Sequence, residues 1–331
     1  TMLPVGRVIG GLLVLIIYYL LTFHVVTEYL LDTPSSDDPP SLHVDPFGFF
    51  SFDMVNHKLH DLRWVPYNNY AAIPFFYIKR GIVEATNLIT ICSGCDIELL
   101  YEAEHIAQNY KSGPLSFAIY INKDFTKINL NKTYHLVVNT FANVSNLYDI
   151  SIAILAYNTS NEFYQHLCEM RDFDTKSPLM FTIPTNVLRN LAEYQVITDW
   201  IFNIDIDFWY LSDTLNEKDN VKLVIEGMES MIESQNYGYK TVFIVPAFEI
   251  IMESAHRFEY SSLTKRQLTD LIYLEEIEPF HATMLAQRCT RYEIWYESER
   301  PYILNFKEVF CHWSYEPWFI IHRDVSRMRE H

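Results

Sequence analysis

Residues 87–121 read NLITICSGCDIELLYEAEHIAQNYKSGPLSFAIYI. Asn87–Cys92 is a short, apolar, β-branched run of the kind that forms a buried strand. Asp96–Tyr110 then places Leu99, Leu100, Ala103, Ile106 and Ala107 on one face at helical spacing. Gly113-Pro114 breaks the helix, and Leu115–Ile121 is a second apolar strand. Strand, helix and strand in this order form the unit from which parallel sheets are built. The alternation continues through a helix at Lys127–Asn143 and a strand at Asp149–Tyr157. A helix capped by Thr185 or Asn186 runs through Val187–Gln195, followed by a strand at Trp200–Asp207. A helix at Glu217–Ser234, a strand at Thr241–Ile250 and a helix at Thr264–Glu276 complete the series. The expectation is an α/β fold with a mostly parallel sheet covered on both faces. Ligands of such sheets bind at the carboxyl ends of the strands. Phe47–Lys79 is aromatic and shows no period that would assign it.

Composition narrows the function. The chain has 25 Lys and Arg against 42 Asp and Glu, a formal charge of −17. A nucleic-acid binder concentrates positive charge, so that class is disfavoured. With 49% apolar residues, general disorder is excluded. There are only 9 glycines in 331 residues, and no two form a G-x-G pair. A dinucleotide fingerprint and a phosphate-binding P-loop are therefore both absent, as are the H-E-x-x-H and G-x-S-x-G signatures.

Val8–Phe23 carries no charge, and continuing to Val26 gives a run close to the ~20 residues that span a bilayer. No small-residue cleavage site follows, so 8–31 is expected to be an uncleaved transmembrane signal anchor. Arg7 before it and Glu28 and Asp32 after it leave residues 1–7 as a short cytosolic tail. Residues 32–83, proline-rich at the start, are expected to be a stem and irregular region, with the folded domain at 84–331. Three sequons, at Asn131, Asn143 and Asn158, fit a lumenal, glycosylated domain. Of the cysteines Cys92, Cys95, Cys168, Cys289 and Cys311, an oxidising lumen would pair two or four and leave at least one over. Cys92-Ser-Gly-Cys95 has redox or half-zinc spacing, but it ends a strand and has no second C-x-x-C to complete a zinc site.

The chemistry-bearing candidate is Asp205-Ile206-Asp207. If the strand runs through it, residues i and i+2 share a face. Two carboxylates at the mouth of a buried strand then call for a cation between them, and a hard divalent ion with oxygen ligands suits them. The alternative is that one Asp caps the next turn and the other is solvated. An anchor, a proline-rich stem and a D-x-D after an α/β half-domain form the layout of a Golgi type II glycosyltransferase of the GT-A kind.

Three stretches make the resemblance specific: Asn186–Phe208 (NVLRNLAEYQVITDWIFNIDIDF), Thr241–Ile250 (TVFIVPAFEI) and Phe310–Ile320 (FCHWSYEPWFI). Together with the strand-helix-strand unit at 87–121 they resemble glycosyltransferase family 49. That family includes the β-1,4-glucuronyltransferase and the second catalytic domain of the LARGE enzymes, which act on the glycan of dystroglycan. The resemblance implies protein O-glycosylation chemistry. A sugar, glucuronic acid, would move from UDP-glucuronic acid to a glycan or glycoprotein acceptor, inverting and dependent on Mn2+. It implies Asp207 and Asp205 as metal ligands, with Asp205 also near the donor, and Asn186 and Arg189 at the donor. Glu316 or Glu249 would accept the acceptor hydroxyl proton. Trp313 and Trp318 beside Glu316 either stack on a sugar or belong to the core.

The chain departs from the family pattern twice. The D-x-D is followed by Phe208-Trp209-Tyr210 instead of Met or Leu, one residue and Pro. Family members also continue past the Glu316-Pro317 motif to a late His of the metal site, and that segment is expected to be missing here. The alternative function is a catalytically inactive lumenal relative that acts as a binding partner.

Overall fold

The central strand is β3 (Ile89–Asp96), in which Ile89, Ile91 and Cys92 are fully shielded from water. β4 (Leu115–Asp124) and β6 (Trp200–Asn203) flank it in parallel, and β5 (Ile150–Tyr157) lies parallel to β4. A strand with neighbours on both edges and helices on both faces has to be apolar along its whole length, so these runs show no polar alternation. The computed structural model describes residues 62–67, 70–81, 88–158, 183–208, 218–235, 241–251, 264–281, 290, 292–297 and 318–325.

β1 (Val65–Tyr67), β2 (Tyr70–Lys79), β7 (Val242–Val245) and β10 (Trp318–His322) complete an eight-stranded sheet of order β1-β2-β5-β4-β3-β6-β10-β7. β2 and β10 are antiparallel to their neighbours, and the other strands share one direction. β8 (Phe248–Ile250) and β9 (Ile277–Pro279) pair antiparallel in a separate ribbon.

The helices divide between the two faces. α1 (Leu100–Asn109), α2 (Leu130–Phe141) and α4 (Lys218–Gln235) share a core with Ile89, Ile91, Phe117, Ile119, Ile152 and Trp200. α3 (Thr185–Tyr194) covers the other face, over β3 and β4. Small residues admit it: Gly94, Ala118 and Ala153 stand in register across β3, β4 and β5. A Cβ on Gly94 would lie 2.5 Å from the Cβ of Leu188 in α3. α5 (Lys265–Tyr273) begins in a capping box between Thr264 and Gln267 and packs on the β8–β9 ribbon with α6 (Tyr292–Glu297).

The α/β expectation holds, with corrections of detail. β6 stops at Asn203, so the strand does not run through Asp205 and Asp207. Thr241–Ile250 is two strands, because Pro246 offers no amide to a ladder and the chain changes sheet there. Pro184, not Thr185 or Asn186, occupies the position before α3, with no side-chain cap. Val65–Lys79, which shows no assignable period, supplies β1 and β2, so the folded sheet begins N-terminal to residue 84. Pro74 obscures β2: its register shifts between Ile73 and Tyr77, Phe75 takes φ 52°, and the displaced Phe75 amide donates to Gln195 Oε1 at 3.0 Å. Among the described residues no helix is long and apolar enough to cross a membrane, and the run at 8–31 lies outside them.

Gly94→Ala is expected to destabilise the domain by about 1–3 kcal/mol, because both Cβ atoms sit on regular backbone and α3 has to move. Urea unfolding of the variant beside the native chain reads this directly.

Candidate functional site

The site is assembled at the carboxyl end of β6. Ile204 continues the ladder by one bond, its amide donating to Cys92 O at 3.1 Å, while Ser93 Oγ donates to Ile204 O at 2.9 Å. The chain then turns, and Phe208 N donates to Asp205 O at 3.2 Å. Aspartate at the first position of a tight turn is favoured because its side chain competes for local amides. Ile206, inside the turn, is buried, while Asp207 is exposed. The two carboxylates therefore belong to one turn and not to one strand face.

α3 supplies the opposing charge. Arg189 pairs with Asp205 through Nη2 and Oδ1, with side chains 24% and 41% exposed. One turn further along α3, Glu193 Oε1 accepts from Asn203 Nδ2 at 2.7 Å, and both residues are buried. Asn186 is exposed in the first turn of the same helix. The structure thus sets Arg189, expected at the donor, against a carboxylate of the D-x-D itself.

Aromatic side chains join this turn to the rest of the carboxyl edge. Phe208 packs on Trp318 with ring centroids 4.3 Å apart and on Phe280 at 4.9 Å, and Phe280 and Trp318 meet at 4.8 Å. Trp318 is 8% exposed, so it belongs to the core and is not a sugar platform. The departure from the family pattern after the D-x-D thus has a structural use: Phe208 ties the turn to β10. His281 stacks on Phe280 at 3.7 Å, and its amide donates to Glu249 Oε1 at 3.0 Å. Glu249 is thereby linked to the turn, although it lies mid-strand in β8 and does not end the strand before it. Glu316 and Trp313 lie outside the described residues.

The neighbouring strand ends carry further side chains that no motif in the sequence marks. Tyr120 and Tyr157 meet edge to face at 5.6 Å, and Tyr70 approaches Tyr120 at 6.4 Å. The Tyr157 hydroxyl donates to Asn122. Burial raises the Tyr157 hydroxyl above its ordinary value, opposed by its hydrogen bond to Tyr120. Asp96 and Asp124 end β3 and β4, each capping the turn that follows. The available signal was tyrosine and aspartate recurring at the last positions of apolar strands.

Among the described residues no three His, Cys, Asp or Glu side chains form a metal cluster. Two carboxylates nevertheless fit a hard cation, since such ions are commonly held by one or two carboxylates plus substrate phosphates and water. Both cysteines of the C-x-x-C are shielded from water. Cys92 and Cys95 are buried free thiols, both raised first of all by burial, Cys95 to about 12. Cys168, Cys289 and Cys311 lie outside the described residues. Asn131 and Asn143 are exposed at the two ends of α2, and Asn158 is half-buried after β5.

A family model described as a glycosyl-transferase for dystroglycan matches residues 88–330. The chain belongs to this family. The matched residues hold both α3 and the D-x-D turn. Among curated relatives, the mouse xylosyl- and glucuronyltransferase LARGE2 is 31% identical over 146 residues, 44% of this chain and 19% of that protein. The human LARGE2 is 29% identical over 151 residues, 44% and 18% of the two chains. The Dictyostelium discoideum glycosyltransferase-like protein gnt14 is 21% identical over 246 residues, 72% and 31%. This family member thus spans roughly a fifth to a third of the length of the relatives it matches.

Cys92 and Cys95 are expected to resist iodoacetamide at pH 8 in the folded family member and to react once denaturant is added. A raised folded-state value contributes stability that is complete below the unfolded thiol value of 9.0 and is lost as pH climbs toward about 12. The urea midpoint is therefore expected to be level below pH 9 and to fall above it, less so in Cys95→Ala.

Proposed function

We propose that the chain carries the transferase domain of a Golgi type II glycosyltransferase. Glucuronic acid would pass from UDP-glucuronic acid to a glycan acceptor with inversion at the anomeric carbon. The observation that carries this reading is the Asp205–Asp207 turn, fixed at the carboxyl end of a parallel strand and faced by Arg189. Family membership and the names of the relatives support the reaction class. The uncharged run at Val8–Phe23 and the exposed sequons at Asn131 and Asn143 support the membrane anchor and the lumenal, glycosylated placement.

In this reading Asp205 and Asp207 hold a divalent cation, Mn2+. Such an ion bound there offsets negative charge on the departing diphosphate. Arg189, poised beside Asp205, is long enough to turn toward the diphosphate and bind it in bidentate fashion. Asn186, on the exposed first turn of the same helix, offers an amide to the donor. A carboxylate, Glu249 or Glu316, takes the proton from the acceptor hydroxyl. The oxygen so activated attacks from the face opposite the UDP. Phe208, Phe280 and Trp318 form an apolar floor that keeps the turn rigid through this step.

The test is binding of UDP-glucuronic acid by calorimetry, with and without Mn2+, on the chain from Asp32 onward. Metal-dependent binding is expected, and Asp207→Ala is expected to weaken it by about 100-fold or more, since even outer-shell losses cost ~10–100-fold. A folded domain that binds no donor with the metal present would sink the transferase reading. The retained fold would then be that of an inactive binding partner.

A further inference from the structure

We infer that Glu193 and Asn203 are positioning residues, a buried pair that sets the D-x-D turn against α3. The inference rests on the reading of Asp205 and Asp207 as the metal-holding carboxylates.

The spacing of the contacts is the first support. Glu193 follows Arg189 by one helical turn, a rise of about 6.0 Å. Asn203 precedes Asp205 by two residues, about 6.6 Å along an extended chain. Matched rises let one helix face make two successive contacts with the chain leaving β6: Glu193 with Asn203, and Arg189 with Asp205. A third hold comes from β3, where Ser93 and Cys92 fix Ile204.

The energetics of the two contacts differ. Arg189 and Asp205 are partly exposed, so water and salt screen their attraction. Glu193 is 6% exposed and Asn203 4%, so their 2.7 Å hydrogen bond works in a low dielectric and resists fraying. The pair is a poor device for stability alone, because leucines of similar volume at both positions would be neutral or better. Asn203 Oδ1 is buried and has no hydrogen-bond partner among the described residues. The pair carries that extra cost, and its use lies in the direction it imposes on the next two residues.

The experiment is hydrogen–deuterium exchange on the full chain in detergent, read at the Ile204 and Phe208 amides, which both bond within the turn region. Native protein, Glu193→Gln and Glu193→Leu/Asn203→Leu are compared without metal. In the double variant these amides are expected to exchange about tenfold faster while β3 to β5 and the melting temperature stay near native. Glu193→Gln keeps an acceptor for Asn203 and is expected to match the native chain. With UDP and Mn2+ added, half-protection of the same amides is expected to need about 10–100-fold more Mn2+ in the double variant. Asn203→Ser, which removes the amide donor at small volume, replaces the double variant if that one does not fold. Unchanged exchange at Ile204 and Phe208, or acceleration spread evenly over the sheet, would overturn the inference. Native protein that shows no protection by UDP and Mn2+ refutes the metal reading instead, and the metal-free comparison still decides whether the pair holds the turn.

Discussion

β3 is paired along both edges and covered on both faces, so water is shut out along most of its length. A strand with no exposed edge or face can carry almost no unpaired polar group, since each would lose its hydration without replacement. The carboxylates are therefore displaced to where strands end. Asp96, Asp124 and Asp205 all stand at or just beyond the carboxyl ends of parallel strands. Three of the polar side chains that remain inside are each tied to a neighbour: Ser93 to Ile204, Thr90 to Thr198, and Asn203 to Glu193.

The same constraint governs the helix that completes the site. α3 approaches the sheet closely because Gly94, Ala118 and Ala153 leave a shallow path across three strands. Close approach lets a short Glu193 side chain reach Asn203 and places Arg189 over Asp205. Cys92 and Gly94 face this helix, while Cys95 turns to the opposite core. The spacing that suggests a redox motif is thus the alternation of a strand between two layers. Ser93 between them does the structural work, by holding the start of the D-x-D turn.

Phe208 shows how a departure from a family pattern can be absorbed. Its ring fills the junction of β6, β9 and β10, a place where any large apolar group adds contact area. Through Phe280 and His281 the same junction reaches Glu249, so the acidic turn and the β8–β9 ribbon are mechanically joined.

Read alone, the amino-acid sequence carries the α/β alternation and the positions of β3, β4 and β5 and of most helices, and it singles out the D-x-D as a candidate. Periodicity and apolar runs are local, and long buried strands leave no ambiguity in them. It missed β2, because Pro74 interrupts the pattern and the bulge that accommodates it draws on Gln195, far away in the chain. It extended β6 two carboxylates too far, because the strand's end is set by the hold of β3 on Ile204 and by the turn at Phe208. Packing in the folded domain sets Arg189 against Asp205, buries Glu193 on Asn203 and places Trp318 in the core. Those are contacts between elements, and their geometry follows from how closely the layers pack, which no single segment encodes.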